Sequence, residues 1–174
     1  ILFLLLFILL VFLLLLTPPA QRFLTVRVEN YLENKLQTRV DIGRIGFGLS
    51  GNIYLNNVYV EDKTRDTLLS GGTVKANLNF MKLFSNEVEV KDIELQNITA
   101  KIKRVLPDTV FNYQFIADAF ITENAKDADT AQTAPMKLSV SDITLDNVSL
   151  LYQDAVTGMD VNGRIGYATT TIDK

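Results

Sequence analysis

Val88-x-Val90-x-Asp92-Ile93-x-Leu95-x-Asn97-Ile98 is the stretch that decides how this chain folds, because its pattern is written more than once. Leu138-x-Val140-x-Asp142-Ile143-x-Leu145-x-Asn147-Val148 repeats it fifty residues later, and Ile53-x-Leu55-x-Asn57-Val58 gives its second half forty residues earlier. Alternation of apolar and polar residues is the signature of a strand with one buried face. The intervals Val90 to Ile93 and Leu95 to Ile98 are three residues rather than two, so the side-chain facing would flip unless a bulge or corner at Asp or Asn restores it. Units that recur at such spacing stack and share one continuous apolar surface, since none can bury its face alone.

Outward from the repeat, most of the chain carries the same period of two. It starts at Val40 and Ile42, passes glycines at 43, 46, 48 and 51 that read as bends or bulges, and continues as a strand from Ile53 to Val60. Glu61 to Thr67 reads as a solvated turn, Gly71-Gly72 as a further turn, and Val74, Ala76, Leu78 and Phe80 as one face of the next strand. Phe111, Phe115, Ala119 and Phe120 share a stripe that predicts a short helix near 109–121, with Asp108 as its cap. Residues 122–135 are polar and poor in large apolar groups, the composition of a flexible linker. The strand pattern resumes at Met136, turns near Thr157-Gly158 and is still running at Ile165 and Tyr167, as expected of a continuing, truncated array over 136–174.

Two helical segments precede the strands. Residues 1–16 have no polar side chain and are expected to be a retained transmembrane anchor truncated at its start, since about 24 Å of helix is short of a ~30 Å hydrocarbon core. Thr17-Pro18-Pro19-Ala20 offers no small-x-small site for signal cleavage. Over residues 17–37, Leu24, Val28, Tyr31, Leu32 and Leu36 form the stripe of an amphipathic helix, with Pro19 in its first turn. That helix either rests on headgroups through Arg22, Arg27, Lys35 and Arg39 or caps one end of a sheet.

Composition removes several classes of chemistry. There is no Cys and no His among the 174 residues, so thiolate nucleophiles, disulfides and the side chain most used as a neutral-pH base are absent. A net charge of -3 provides no basic footprint for nucleic acid. Asn97-Ile98-Thr99 and Asn147-Val148-Ser149 match the glycosylation sequon, but both fall at the same place in the repeat, which favours a structural Asn at a bend. Asp127-Ala128-Asp129 lacks the rest of a calcium loop, and Glu87 with Glu89 reads as solvated charge on an outward face. No catalytic residue, metal site or cofactor is expected.

Thr17-Pro18-Pro19, Tyr31-Leu32-x-x-Lys35-Leu36, Leu55-x-Asn57-Val58-Tyr59-Val60-Glu61-Asp62, Asp66-Thr67-Leu68-Leu69 and Leu106-Pro107-Asp108-Thr109-x-Phe111-Asn112-Tyr113-x-Phe115 together resemble the N-terminal region of the AsmA superfamily, in particular TamB-like translocation and assembly proteins of Bacteroidota. The resemblance implies a mainly β, non-enzymatic protein in the inner membrane by a single pass, with its β-rich part in the periplasm. It also implies a curved, antiparallel-type sheet forming an elongated U-shaped groove that carries phospholipid toward the outer membrane. Help in assembling outer-membrane proteins, through a C-terminal region and a partner barrel, is a further implication. The expected groove-lining residues are Ile53, Leu55, Val58, Val60, Val74, Leu78, Phe80, Val88, Val90, Ile93, Leu95 and Ile98. The alternatives are a periplasmic scaffold or chaperone that binds client strands by β-augmentation, or the anchor region of a larger envelope enzyme.

Overall fold

A computed structural model describes residues 2–15, 17–48, 51–78, 90–107, 109–121 and 141–171. In chain order the elements are α1 (Leu2–Leu15), α2 (Pro18–Leu36), β1 (Val40–Phe47), β2 (Asn52–Glu61), β3 (Thr67–Leu78), β4 (Val90–Arg104), α3 (Gln114–Ile121), β5 (Asp142–Asp154) and β6 (Met159–Thr171). The six strands lie in one open sheet in the order in which they occur along the chain. The expected mainly β fold is therefore observed.

The expectation of an inner-membrane, single-pass protein is corrected by the helices. α1 has 14 residues, roughly 21 Å of helix, and no helix among the described residues is long and apolar enough to cross a membrane. The physical reason lies at the junction. Thr17 is extended, with φ -72° and ψ 143°, and Pro18 and Pro19 begin a new helix rather than prolonging the old one. α2 then introduces Arg22, Arg27 and Glu29, so the two helices do not merge into one apolar rod.

The sheet is mixed rather than antiparallel throughout. Neighbouring strands pair antiparallel except β4 and β5, which run parallel with Ile93 beside Ile143 and Leu95 beside Leu145. The cause is the fifty-residue repeat: two copies of one unit side by side share a direction, and a parallel pair needs a long crossover between them. α3 lies within that crossover and starts at Gln114, later than the predicted 109; Asp108 lies outside the described residues.

The sequence reading also misplaced a turn. Gly71 and Gly72, at φ +84° and +51°, sit inside β3 rather than between strands. They belong to a line that crosses the whole sheet. Pairing across neighbouring strands aligns Gly43, Asn57, Gly72, Asn97, Asn147 and Gly166 in one row, bracketed by matched partners on either side. Asn57, Asn97 and Asn147 have φ of 54°, 55° and 56°, the left-handed region that Asn enters more readily than most residues. On every strand this row falls within the three-residue interval, as in Leu55 to Val58, Val74 to Gly71, and Leu145 to Val148. Among the described residues no register shift occurs there; the shifts lie at Val60/Glu61 and Asn77/Leu78. On β2, β3, β4 and β5 the facing is thus restored by an in-register left-handed residue, not by the extra residue of a bulge.

Glycine is obligatory at one point of that line. A Cβ on Gly72 would stand 2.0 Å from the Gln96 carbonyl oxygen and 2.6 Å from the Asn97 carbonyl carbon. We expect Gly72→Ala to lower stability by about 3 kcal/mol or more, combining backbone overlap with a left-handed φ. Gly163→Ala, where the new carbon meets nothing within 4 Å, should stay within about 0.5 kcal/mol of the parent. Urea denaturation of both variants checks this; equal midpoints would contradict the role of the line.

Candidate apolar ligand surface

With facing restored, apolar residues line up across the strands. Below the Gly/Asn line one row runs through Phe47, Ile53, Ala76, Ile93, Ile143 and Thr170, and the next through Ile45, Leu55, Val74, Leu95, Leu145 and Ala168. Above it, Val40, Val60, Leu69, Ala100, Leu150 and Gly163 form another row. The opposite face is polar: Tyr54, Lys75, Glu94, Thr144 and Thr169 align there, with Lys75 Nζ bonded to Glu94 Oε2 at 2.8 Å.

Helices cover one side of the apolar face unevenly. Leu36 of α2 joins Val40, Ile42, Ile45, Val58, Val60 and Leu68 in the buried core. Val28 and Leu32 of α2 and Phe115, Ile116 and Ala119 of α3 pack against it, together with Ile53, Leu55, Val74 and Ile102. Tyr31, expected on the same stripe, is exposed. α2 also finishes the β1 edge: Glu29 Oε1 accepts the Ile42 N–H at 2.7 Å and Glu33 Oε1 accepts the Val40 N–H at 3.2 Å. Of the two roles foreseen for this helix, covering the sheet is the one observed.

The twelve expected groove residues therefore separate. Ile53, Leu55, Val58, Val60 and Val74 belong to the helix-covered core or pack against it. Val90 and Ile98 are buried outside that cluster. Ile93 and Leu95 are half-buried and likewise outside it. Leu78 pairs with Val90 at the end of β3, while Phe80 and Val88 lie outside the described residues. Residues absent from that expectation share the same surface: Ile143, Leu145 and Leu150 of β5 are half-buried in the rows of Ile93, Leu95 and Ala100. The signal for them was the repeat itself, because a parallel copy fifty residues on places equivalent side chains in the same rows.

Buried polar groups close the other end of these strands. Asp62, 1% exposed, accepts bonds from Thr64 N and Oγ1 and from Asp66 N, and its second oxygen meets Asn112 Nδ2 at 3.1 Å and Lys103 Nζ at 3.0 Å. Asn112 also bonds the Lys101 carbonyl and the Lys103 N–H, tying the crossover to β4. Burial alone would push the Asp62 carboxyl up, but the bonds from Thr64, Asn112, Lys103 and the Asp66 backbone outweigh it and hold the pKa at about 2. On the neighbouring strand Arg104 grips Asp154 with two nitrogens, and Val156 N and Thr157 Oγ1 bond the same carboxylate. The Arg104 bond is the chief cause that lowers the Asp154 pKa. These carboxylates are fully engaged in joining turns to β4, so they hold the scaffold rather than offer a base.

Among the described residues no cluster of His, Cys, Asp or Glu could hold a metal ion. What the surface offers is apolar area without a polar constellation. Comparison of the sequence with protein-family models and with curated proteins finds no match.

A native carboxyl pKa near 2, against about 3.9 in an unfolded chain, contributes stability above pH 4 that is lost as pH falls toward 2. The expected loss from Asp62 is about 2 kcal/mol. Urea titrations between pH 6 and pH 2 should show Asp62→Asn less stable near neutrality and with a shallower acid decline than the parent. Parallel declines would remove Asp62 from the account.

Proposed function

We propose that the protein binds the acyl chains of phospholipid on the β4 and β5 part of its apolar sheet face, and does no chemistry on them. The observation that carries this reading is the mismatch between rows and cover. Apolar rows continue through Ile93, Leu95, Ile143, Leu145 and Leu150, beyond the core cluster that α2 and α3 complete. An acyl chain needs burial alone, worth about 0.8 kcal/mol per CH₂.

Because the rows run across strands, an acyl chain lying along them would pass from one repeat unit to the next. Added units would lengthen such a path without changing its chemistry, the behaviour of a stacked repeat. The resemblance to the AsmA superfamily supports the same reading, since it implies a lipid-lined U-shaped groove, phospholipid transport toward the outer membrane and a part in outer-membrane protein assembly.

Photo-crosslinking residues at Leu95 and Leu145, with controls at Glu94 and Thr144 on the polar face and Val58 under the helices, test this in detergent solution with labelled phospholipid. Labelling at Leu95 and Leu145 alone is the expected outcome. Equal labelling at Glu94 and Thr144 would indicate nonspecific contact, and no labelling at Leu95 or Leu145 would end the proposal.

A further inference from the structure

The contact between α2 and β1 is tight at one end and open at the other. Glu33 and Glu29 take the Val40 and Ile42 N–H groups, and Val28, Leu32 and Leu36 meet the core. Toward the start of α2 a cleft of about 450 Å³ opens between helix and strand, with Gln21, Arg22, Val26 and Glu29 on one wall and Gly43 and Arg44 on the other. Its size is that of a small-ligand site. The cleft belongs to the β1 edge, and β6 forms the opposite edge of the sheet, so further strands beyond β6 would leave it as it is.

The charges in this cleft do not balance. Arg22 and Arg44 are both exposed, and among the described residues neither has an ion-pair partner. By contrast Arg39 pairs with Asp41 at 2.8 Å, and Arg104 is held by Asp154. Glu29 is the one carboxylate among the lining residues, and its Oε1 is committed to the Ile42 N–H at 2.7 Å. Two guanidinium groups against one carboxylate leave one positive charge in surplus, and the positive end of the α2 dipole lies at the same wall. A guanidinium without a partner presents a fork of N–H donors that matches a pair of phosphate oxygens. Apolar surface adjoins it: Val26 on the cleft wall and Phe23, one turn earlier on the same helix face, are both exposed.

We propose that this cleft binds the phosphodiester group of a phospholipid, with Arg22 and Arg44 taking the phosphate oxygens and the apolar part of the lipid lying over Val26 and Phe23. The surplus of one positive charge matches the single negative charge of a diester better than the nearly double charge of a phosphomonoester, which Glu29 would also repel. A free phosphate ion would gain the guanidinium bonds but leave Val26 and Phe23 in water. A fatty-acid carboxylate would bring two oxygens to be shared between two forks. The cleft is separate from the apolar surface of β4 and β5, and its occupancy does not rest on that surface binding acyl chains.

The whole chain in neutral detergent, with a photo-crosslinking residue at Val26, is exposed to labelled phosphatidylglycerol or to labelled diacylglycerol with the same acyl chains. Crosslinking of phosphatidylglycerol should exceed that of diacylglycerol by about tenfold or more. Arg22→Gln combined with Arg44→Gln should remove that excess and leave the melting temperature unchanged, since both side chains are exposed, while Arg39→Gln, outside the cleft, should keep it. Equal crosslinking of the two lipids, or an undiminished excess in the double variant, would overturn the proposal. Displacement of phosphatidylglycerol by inorganic phosphate at about 1 mM would overturn it in favour of a free-phosphate site. Palmitate displacing as well as unlabelled phosphatidylglycerol would do so in favour of any anionic amphiphile. Labelling at Leu95 and Leu145 reads the β4 and β5 surface separately, so either site can fail alone.

Discussion

A strand has a side-chain period of two, and this sheet must keep its apolar face on one side although every strand contains an interval of three. The whole structure depends on how that conflict is resolved. Left-handed backbone at Asn57, Gly72, Asn97 and Asn147 re-sets the facing in register. One strand alone could not do this cheaply, because a shifted facing would expose its apolar half while its neighbours buried theirs. Placing the break at the same row on all six strands lets Ile45 and Ile42, which flank it, fall in the same core. Side-chain bonds run along part of the line as well: Asn147 donates to Asn97, and Arg164 donates to Asn147.

Much of this was legible in the residues. The repeat gave the strands, and the odd interval gave the need for a correction at Asn. What the one-dimensional pattern lacked was the identity of the device. A bulge, a corner and a left-handed residue all satisfy an odd interval, and only pairing across strands separates them. Gly71-Gly72 was misread for the same reason. Paired glycines usually end a strand, but here Gly72 faces the left-handed Asn97, whose carbonyl group leaves no room for a side chain. The glycine answers a constraint from another strand, twenty-five residues away and invisible to any local window.

The candidate surface was legible in part for a related reason. Apolar alternation correctly assigns a face to Ile53, Leu55 and Val58, but which part of that face a helix covers is a tertiary fact. α2 lies over β1 because Leu36, Val28 and Leu32 meet the core while Glu29 and Glu33 bond its edge. The amphipathic stripe predicted the first contact. The carboxylates of Glu29 and Glu33 seal the strand.

Sealing the β1 edge gives the sheet a direction. β1 cannot be extended without displacing two charge-assisted bonds to backbone N–H groups. A further repeat unit would therefore join the sheet more readily on the β6 side than on the β1 side. That is also the side toward which the helix cover runs out and the apolar rows of β4 and β5 lead. Each strand added there would extend the apolar rows by one more position beyond the core cluster to which α2 and α3 contribute.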